Sequence, residues 1–268
     1  MKLGFIGGGT MAEAMIKGVL NKSLSKPKDI TVGDPIESRC TELTELYDVT
    51  TTTSNEDVLK YGELIVLAVK PQDIGTAATD IGSFLKDSHT ILSIIAGLKL
   101  NTLTKKLGHA SIIRVMPNTP AQIGAGVSVW TSSTTVTQNT INFSRKLLRT
   151  LGEEIYVSEE RYLDMATALS ASGPAYVFLF IEALVDAGVY IGLPRSTSRT
   201  LAIETVLGSS KLVKETGRHP AQLRDMVASP GGTTVEGLTA LEEGGLRTTV
   251  INAVIAAFQK SIELGSKE

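Results

Sequence analysis

The sequence predicts two parts: a doubly wound α/β domain over residues 1–157 and an all-helical domain over residues 158–268. Three observations carry this. Short β-rich runs alternate with helix-like segments in the first half, which implies parallel strands joined by crossover helices. A glycine-rich turn sits between the first strand and the first helix. No strand pattern is found beyond Ser158.

The strands are expected at residues 2–6, 30–32, 64–69, 90–95, 112–116, 127–130 and 155–157. The runs Leu64-Ile-Val-Leu-Ala-Val and Ile91-Leu-Ser-Ile-Ile are continuously apolar, as strands covered on both faces are. Helices are expected between them at 11–20, 37–46, 74–85 and 100–107. Ser158, followed by Glu159 and Glu160, reads as a helix start: a hydroxyl to cap free N–H groups, then acids at the positive end of the helix dipole. Helical patterns then cover 161–170, 175–191, 195–215, 220–227, 234–243 and 246–264, separated by Gly and Pro.

Composition removes several function classes. The 268 residues carry 26 Lys+Arg against 28 Asp+Glu, a net charge of −2, too balanced for a strong basic field, so no nucleic-acid partner is expected. The single cysteine, Cys40, makes no internal disulfide and no Cys-rich zinc site, and no metal is expected. Apolar residues at 42% and low net charge argue against disorder. The start of the chain lacks the apolar core of a secretory signal. The most apolar stretch, 175–193, contains Glu182 and Asp186 and is broken by Gly188 and Gly192, so it reads as a buried helix, hidden within the chain or between subunits. A cytoplasmic protein with no membrane partner is the expectation.

The turn Gly7-Gly8-Gly9-Thr10-Met11-Ala12 reads G-x-G-x-x-A between a strand and an amphipathic helix. The first Gly makes the turn, the second lets a pyrophosphate approach the backbone, and the small third residue lets helix and strand pack closely. A plain tight turn is the structural alternative. Asp34 ends the second strand, 22 residues past Ala12, where an acid accepts from both ribose hydroxyls and repels a 2′-phosphate. Arg39, close behind, is the competing feature, since a guanidinium holds a 2′-phosphate. NAD and NADP both remain open.

Ala68-Val-Lys-Pro71 and Met116-Pro-Asn-Thr-Pro120 follow apolar strands, where loops line the crevice of an open α/β sheet; Asn118, the polar group of the second, is a candidate cofactor-binding residue. Ser229-Pro-Gly-Gly-Thr-Thr234 precedes a helical pattern and offers hydroxyls and exposed backbone N–H groups, which suits a carboxylate or phosphate. A helix–helix turn with a Thr cap is the alternative. His89, His109 and His219 read as structural, Trp130 as packing, and the i, i+4 pair Glu182 and Asp186 as a surface or interface stripe.

In this order, Gly4-Phe-Ile-Gly-Gly-Gly-Thr-Met-Ala, Ala68-Val-Lys-Pro-Gln, Arg114-Val-Met-Pro-Asn-Thr-Pro, Ser172-Gly-Pro-Ala-Tyr-Val-Phe, Gly192-Leu-Pro-Arg and Gly217-Arg-His-Pro through Ser229-Pro-Gly-Gly-Thr-Thr resemble the pyrroline-5-carboxylate reductases. The last stretch, followed by Leu241-Glu-Glu, is the most specific and the glycine turn the least. The resemblance implies a Rossmann-type N-terminal domain and an all-α C-terminal dimerisation domain. It implies homodimers that assemble further into rings of five dimers, and the reduction of 1-pyrroline-5-carboxylate to proline by NADPH or NADH. By position it implies that Ile6, Gly7, Gly8, Gly9, Thr10 and Met11 hold the cofactor pyrophosphate. Asn55 would reach the adenosine side, and Ala68, Val69, Lys70, Pro71 and Ala96 would border the cofactor. Ser229, Gly232, Thr233 and Thr234 would hold the substrate carboxylate, with the Thr234 hydroxyl as the catalytic group facing the ring nitrogen and Glu160 near the substrate.

Three positions depart from the pattern. Asp34 stands where NADPH-using members often carry a small hydroxyl residue. Ala171 replaces a glycine, and Met226 a polar residue. The rival readings are another two-domain imine or β-hydroxyacid reductase, for which Lys211 and Lys214 are the available lysines, and a nucleotide-binding protein without activity.

Overall fold

In a computed structural model, which describes residues 1–266, the chain folds as an eight-stranded sheet flanked by helices, followed by a run of helices. The elements of the first part are β1 (Leu3–Ile6), α1 (Thr10–Asn21), β2 (Ile30–Gly33), α2 (Glu37–Tyr47), β3 (Thr50–Thr52), α3 (Asn55–Tyr61), β4 (Leu64–Leu67), α4 (Ile74–Gly82), β5 (Thr90–Ser93), α5 (Leu100–Leu107), β6 (Ile112–Met116), β7 (Gly126–Ser132), α6 (Gln138–Arg149), β8 (Gly152–Tyr156) and α7 (Arg161–Ala166). The helical part has α8 (Gly173–Tyr190), α9 (Arg195–Thr216), α10 (Pro220–Met226), α11 (Thr233–Glu243) and α12 (Leu246–Ser266).

The strand order is β3-β2-β1-β4-β5-β6-β7-β8, parallel from β3 to β6, so the order reverses at β1 and β4. β7 runs antiparallel to β6, against the all-parallel expectation. The connection explains this: residues 117–125 hold only a 3₁₀ turn, whereas a parallel crossover needs a dozen or more residues and usually a helix. β8 then returns parallel to β7 through α6.

The interior strands are buried on both faces, and their side chains divide by alternation. Leu3, Phe5, Leu64, Val66, Leu92 and Ile113 belong to one apolar cluster, and Ile65, Leu67, Ile91 and Ile112 to a second. Alternate side chains of a strand point to opposite faces, so these are the two helix-covered faces of one sheet. Trp130 of β7 is fully buried, donates through Nε1 to Glu154 at 2.7 Å and meets Tyr156 edge-on, as a packing residue does.

Contacts divide the chain between Ser172 and Gly173, later than the change from strand to helix at 157/158. One unit is Met1–Ser172 with α12 from Ala257 onward; the other is Gly173–Ala256. The later division has a physical cause: α7 packs on β6 and β7 and is bonded to β6 by ion pairs. Ser158 does not cap α7, which begins at Arg161 with Glu160 before it and no side-chain cap.

Within 173–256 only Val185, Ser198 and Ala202 are buried. Of the two alternatives for the 175–193 helix, burial within its own chain is therefore not what the structure shows. Phe178 and Leu179 of α8 and Ile191 beyond it are exposed by 60%, 67% and 77%. The continuous helical stretch Arg161–Tyr190 is long and apolar enough to cross a membrane by length and composition alone. It also carries Glu182 and Asp186, the latter ion-paired to Arg195 at 2.9 Å.

The histidines act in the scaffold. His219 Nδ1 accepts from the Ala221 amide and Gln222 Oε1 from the His219 amide, a reciprocal cap on α10. His109 Nε2 donates to the His89 carbonyl at 2.9 Å, and His89 Nδ1 accepts from the Lys86 amide at 3.0 Å. Burial first, then the neighbouring Lys86 charge and His109, hold the His89 imidazole below its usual pKa. A depressed histidine pKa stabilises the fold fully above the unfolded value of about 6.5, and that contribution is lost as pH falls from there through the folded value. Melting temperatures at pH 7.5 and 5.5 should therefore drop more steeply for the native chain than for His89→Asn; equal slopes would refute the assignment.

Candidate functional site

The glycine turn is built around one strained position. Gly7 has φ +94° and donates from its amide to Gly33 O at 2.8 Å, and a Cβ there would lie 2.9 Å from Ala68 O. Both the positive φ and the close approach demand glycine. The turn thereby joins the ends of β1, β2 and β4, since Ala68 N also donates to Ile6 O at 2.9 Å. Ile6 itself is buried and presents only backbone.

The next residue is held on both sides. The Gly8 amide donates to Asp34 Oδ2 at 2.8 Å, and its carbonyl accepts from Arg39 Nε at 2.7 Å. Asp34 Oδ1 accepts from the Ile36 amide. The other guanidinium nitrogens of Arg39 pair with Glu13 and Glu42, and Tyr47 donates to Glu13 at 2.8 Å. The Arg39 hydrogen bond holds the Glu13 carboxyl below its usual range, while burial, with the bond to Glu13, pushes the Tyr47 phenol up to about 12.

Gly9 precedes α1 as its cap residue and supplies no side-chain cap. A Cβ built on it meets nothing within 4 Å. The space beside Gly9 and the uncapped N–H groups of Thr10 and Met11 thus make a cradle for a pyrophosphate at a helix N-terminus, and the residues present fit a dinucleotide.

Other expected cofactor residues stand at the carboxyl ends of parallel strands, where ligands of open α/β sheets bind. Ala68, Val69, Lys70 and Pro71 follow β4, and Ala96 follows β5 shortly before Gly97. Asn55 opens α3 just beyond β3, its Nδ2 3.4 Å from Asp80. Asn118 follows β6, but its amide is engaged inside the protein: Oδ1 accepts from Val127 N at 2.9 Å and Nδ2 donates to Ser170 O at 3.1 Å.

Glu160 is likewise engaged. Its Oε1 accepts from the Leu100 amide at 2.7 Å, which caps α5, and from Arg114 at 2.8 Å. Arg114 is 2% exposed in the middle of β6 and also reaches Asp164 at 2.9 Å. The sequence reading missed Arg114 as the hub of this triad. The available signal was a guanidinium inside the apolar run Ile112-Ile-Arg-Val-Met, since a buried charge requires partners.

The substrate candidates lie in the helical unit. Ser229 O accepts from Gly232 N at 2.9 Å, with Pro230 and Gly231 between them and Gly231 at φ +68°. Pro then Gly at the centre of such a turn is the type II pattern. Gly232 precedes α11 with no side-chain cap, so the Thr cap considered from the sequence is not formed. The Thr233 and Thr234 amides stand in the first turn of the helix, where backbone N–H groups lack intrahelical partners. Ser229 and Thr233 are exposed and Thr234 is half-buried. The loop thus offers hydroxyls and helix-terminal N–H groups, with the chemistry of a carboxylate cradle.

A sheet that reverses order beside a glycine turn with room for a pyrophosphate, with a separate helix start that offers hydroxyls and free N–H groups, fits the class of nicotinamide-dinucleotide oxidoreductases in two parts. Comparison with known proteins narrows the class. Residues 160–264 match the family model described as pyrroline-5-carboxylate reductase dimerisation, and residues 2–97 that of NADP oxidoreductase, coenzyme F420-dependent. Pyrroline-5-carboxylate reductase of Glycine max is 43% identical over 98% of this chain and 95% of its own length. That of Escherichia coli K12 is 38% identical over 98% of both. The Coxiella burnetii enzyme superposes with a TM-score of 0.90 at 35% identity over 98% of both chains. The Plasmodium falciparum enzyme, solved with NADP bound, gives 0.90 at 36% identity, covering 99% of this chain and 98% of its own. The chain belongs to the pyrroline-5-carboxylate reductase family.

Proposed function

We propose that this chain reduces 1-pyrroline-5-carboxylate to proline, the last step of proline biosynthesis, with a reduced nicotinamide dinucleotide as hydride donor. The observation that carries this reading is the Ser229–Thr234 loop, a type II turn delivering two threonines into the uncapped start of α11. The cofactor supplies a hydride to the C=N carbon. The first turn of α1 and the space beside Gly9 hold its pyrophosphate, and residues 68–71 with Ala96 border it. Ser229, Gly232, Thr233 and the first N–H groups of α11 hold the substrate carboxylate. The Thr234 hydroxyl orients and polarises the ring nitrogen; it does not titrate, because an aliphatic hydroxyl is a poor acid. Neither a metal nor a covalent nucleophile enters this scheme. The exposed apolar faces of α8 and α12 are covered by a second copy of the chain, which fits the dimerisation model over residues 160–264. A cytoplasmic location and further assembly of dimers are part of the same reading.

The ribose end favours NADH. Asp34 places a carboxylate at the end of β2, and Glu37 follows it. Arg39, the cation that would hold a 2′-phosphate, has its guanidinium occupied by Gly8, Glu13 and Glu42. Like unit charges at 4 Å repel by about 1–4 kcal/mol between water-like and surface-like dielectrics, so discrimination of roughly tenfold or more is expected. The test is loss of nicotinamide absorbance with 1-pyrroline-5-carboxylate, run with NADH and NADPH in parallel. Turnover with a higher kcat/KM for NADH is expected. Equal or higher kcat/KM for NADPH would reject the ribose assignment, and no turnover with either would reject the reaction.

A further inference from the structure

Asp34 and Arg39 hold one residue from opposite sides. Asp34 Oδ2 accepts from the Gly8 amide at 2.8 Å, and Arg39 Nε donates to the Gly8 carbonyl at 2.7 Å. A single residue thus separates the guanidinium from the carboxylate assigned to the ribose. What keeps the guanidinium turned away lies on another helix. Glu13 stands in the first turn of α1; one of its carboxylate oxygens pairs with Arg39, and the other accepts from the Tyr47 hydroxyl at 2.8 Å.

The helices dictate this arrangement. Arg39 and Tyr47 are eight residues apart on α2, and positions i and i+8 share a helix face, so both side chains converge on Glu13. Glu13 is fixed at both oxygens. The Tyr47 phenol, pushed up to about 12 by burial and by Glu13, keeps its proton through the neutral range, so this anchor is constant there. Glu42, the second acid on Arg39, is exposed and lies three residues along the same helix, a kind of pair that contributes little. Glu13 and Arg39 are both half-buried, where water and salt screen a pair less. Glu13 is therefore the stronger hold on the guanidinium.

We propose that Glu13 is a specificity-determining residue that acts through Arg39: it withholds the guanidinium from a 2′-phosphate and so turns the ribose pocket toward NADH. This rests on the reading of Asp34 and Arg39 given above. A 2′-phosphate brings up to about two more negative charges at neutral pH, and a free guanidinium fork would pair with it bidentately. Glu13 is a positioning residue, its carboxylate occupied by Arg39 and Tyr47.

The test is a mutant cycle of Glu13→Ala and Arg39→Met on the full chain. Glu13 and Tyr47 line a cavity of about 180 Å³ with Thr10, Lys17 and Gln122, so the shortened side chain leaves room for water at the Tyr47 hydroxyl. Binding of 5′-AMP and 2′,5′-ADP, which differ by the 2′-phosphate alone, is measured by calorimetry and needs no turnover. The native chain should favour 5′-AMP; a native preference for 2′,5′-ADP would reject the ribose reading and this proposal with it. Glu13→Ala should shift the affinity ratio toward 2′,5′-ADP by about tenfold or more, the weight of a hydrogen bond to a charged group. The ratio of kcat/KM for NADPH over NADH should move in the same direction. Glu13→Gln, which keeps an acceptor for Tyr47, should shift the ratio the same way by less, and it serves if the alanine variant does not fold. Arg39→Met alone should leave the ratio near native, and the double variant should lose the gain. An unchanged ratio in both Glu13 variants, with the native preference for 5′-AMP intact, would overturn the role of Glu13 and leave the ribose reading standing. A gain that persists in the double variant would mean that Glu13 repels the phosphate by its own charge, and would overturn the route through Arg39. Weaker 2′,5′-ADP binding in Arg39→Met alone, with 5′-AMP binding unchanged, would mean that the guanidinium already serves the phosphate, and would overturn it too.

Discussion

Thr234→Ala is expected to lower kcat by about 10²-fold, the usual cost of removing one hydrogen-bond donor aimed at developing charge. The side chain is half-buried in the first turn of α11, whose start depends on the Gly232 backbone and on no side-chain cap. Removing the hydroxyl therefore costs the helix nothing at its cap. Circular dichroism and the Kd for NADH should match the native chain. Thr234→Ser, which keeps a hydroxyl, should recover most of the rate. Full activity in a folded Thr234→Ala would remove the hydroxyl from the mechanism. A loss confined to KM would reassign it to carboxylate binding.

The second large effect is on stability. Arg114→Met should lower the melting temperature by roughly 10 °C, since stranding the partners of a buried charge costs ~3–5 kcal/mol at about 2–4 °C per kcal/mol for a chain of this size. Glu160 and Asp164 would lose the cation they share, and both are largely shielded from water, with side-chain exposures of 26% and 11%. Glu160 would still cap Leu100, so the loss falls on the contact between β6 and α7. Adding Glu160→Gln and Asp164→Asn should recover part of the stability, because neutral amides tolerate burial better than unpaired carboxylates. A single variant as stable as the native chain would show that water or rearrangement satisfies the acids.

The pieces of the candidate site were legible in the sequence because they break local rules. Three consecutive glycines between a strand and a helix have few structural uses, and Ser-Pro-Gly-Gly-Thr-Thr combines a turn with a helix start. Elements with ordinary composition were not legible. β3 is three threonines, too short for a period. α6 buries Thr140 and Ser144 along with Leu147 and Leu148, so its apolar stripe is interrupted. α3 is seven residues with charges in its first and last turns. Partners distant in sequence were also hidden. Asp34 and Arg39 stood out individually, but that both grip Gly8 depends on how α2 packs, which spacing does not reveal. For Glu160 the resemblance gives a position near the substrate but not the bonds to Arg114 and the Leu100 amide, which depend on packing.

The helical unit has almost no interior of its own: three buried residues over 173–256 are too few to hold five helices in place. Its native shape is thus written only partly in one polypeptide, and a neighbouring copy supplies the rest. For such a chain, completion of the tertiary structure is a second-order process. Newly made molecules would mature at a rate set by how many others are nearby. A cell making little of this protein would lose activity faster than in proportion. A chain defective only in the Thr234 loop would still be accepted into assemblies and pair with working copies.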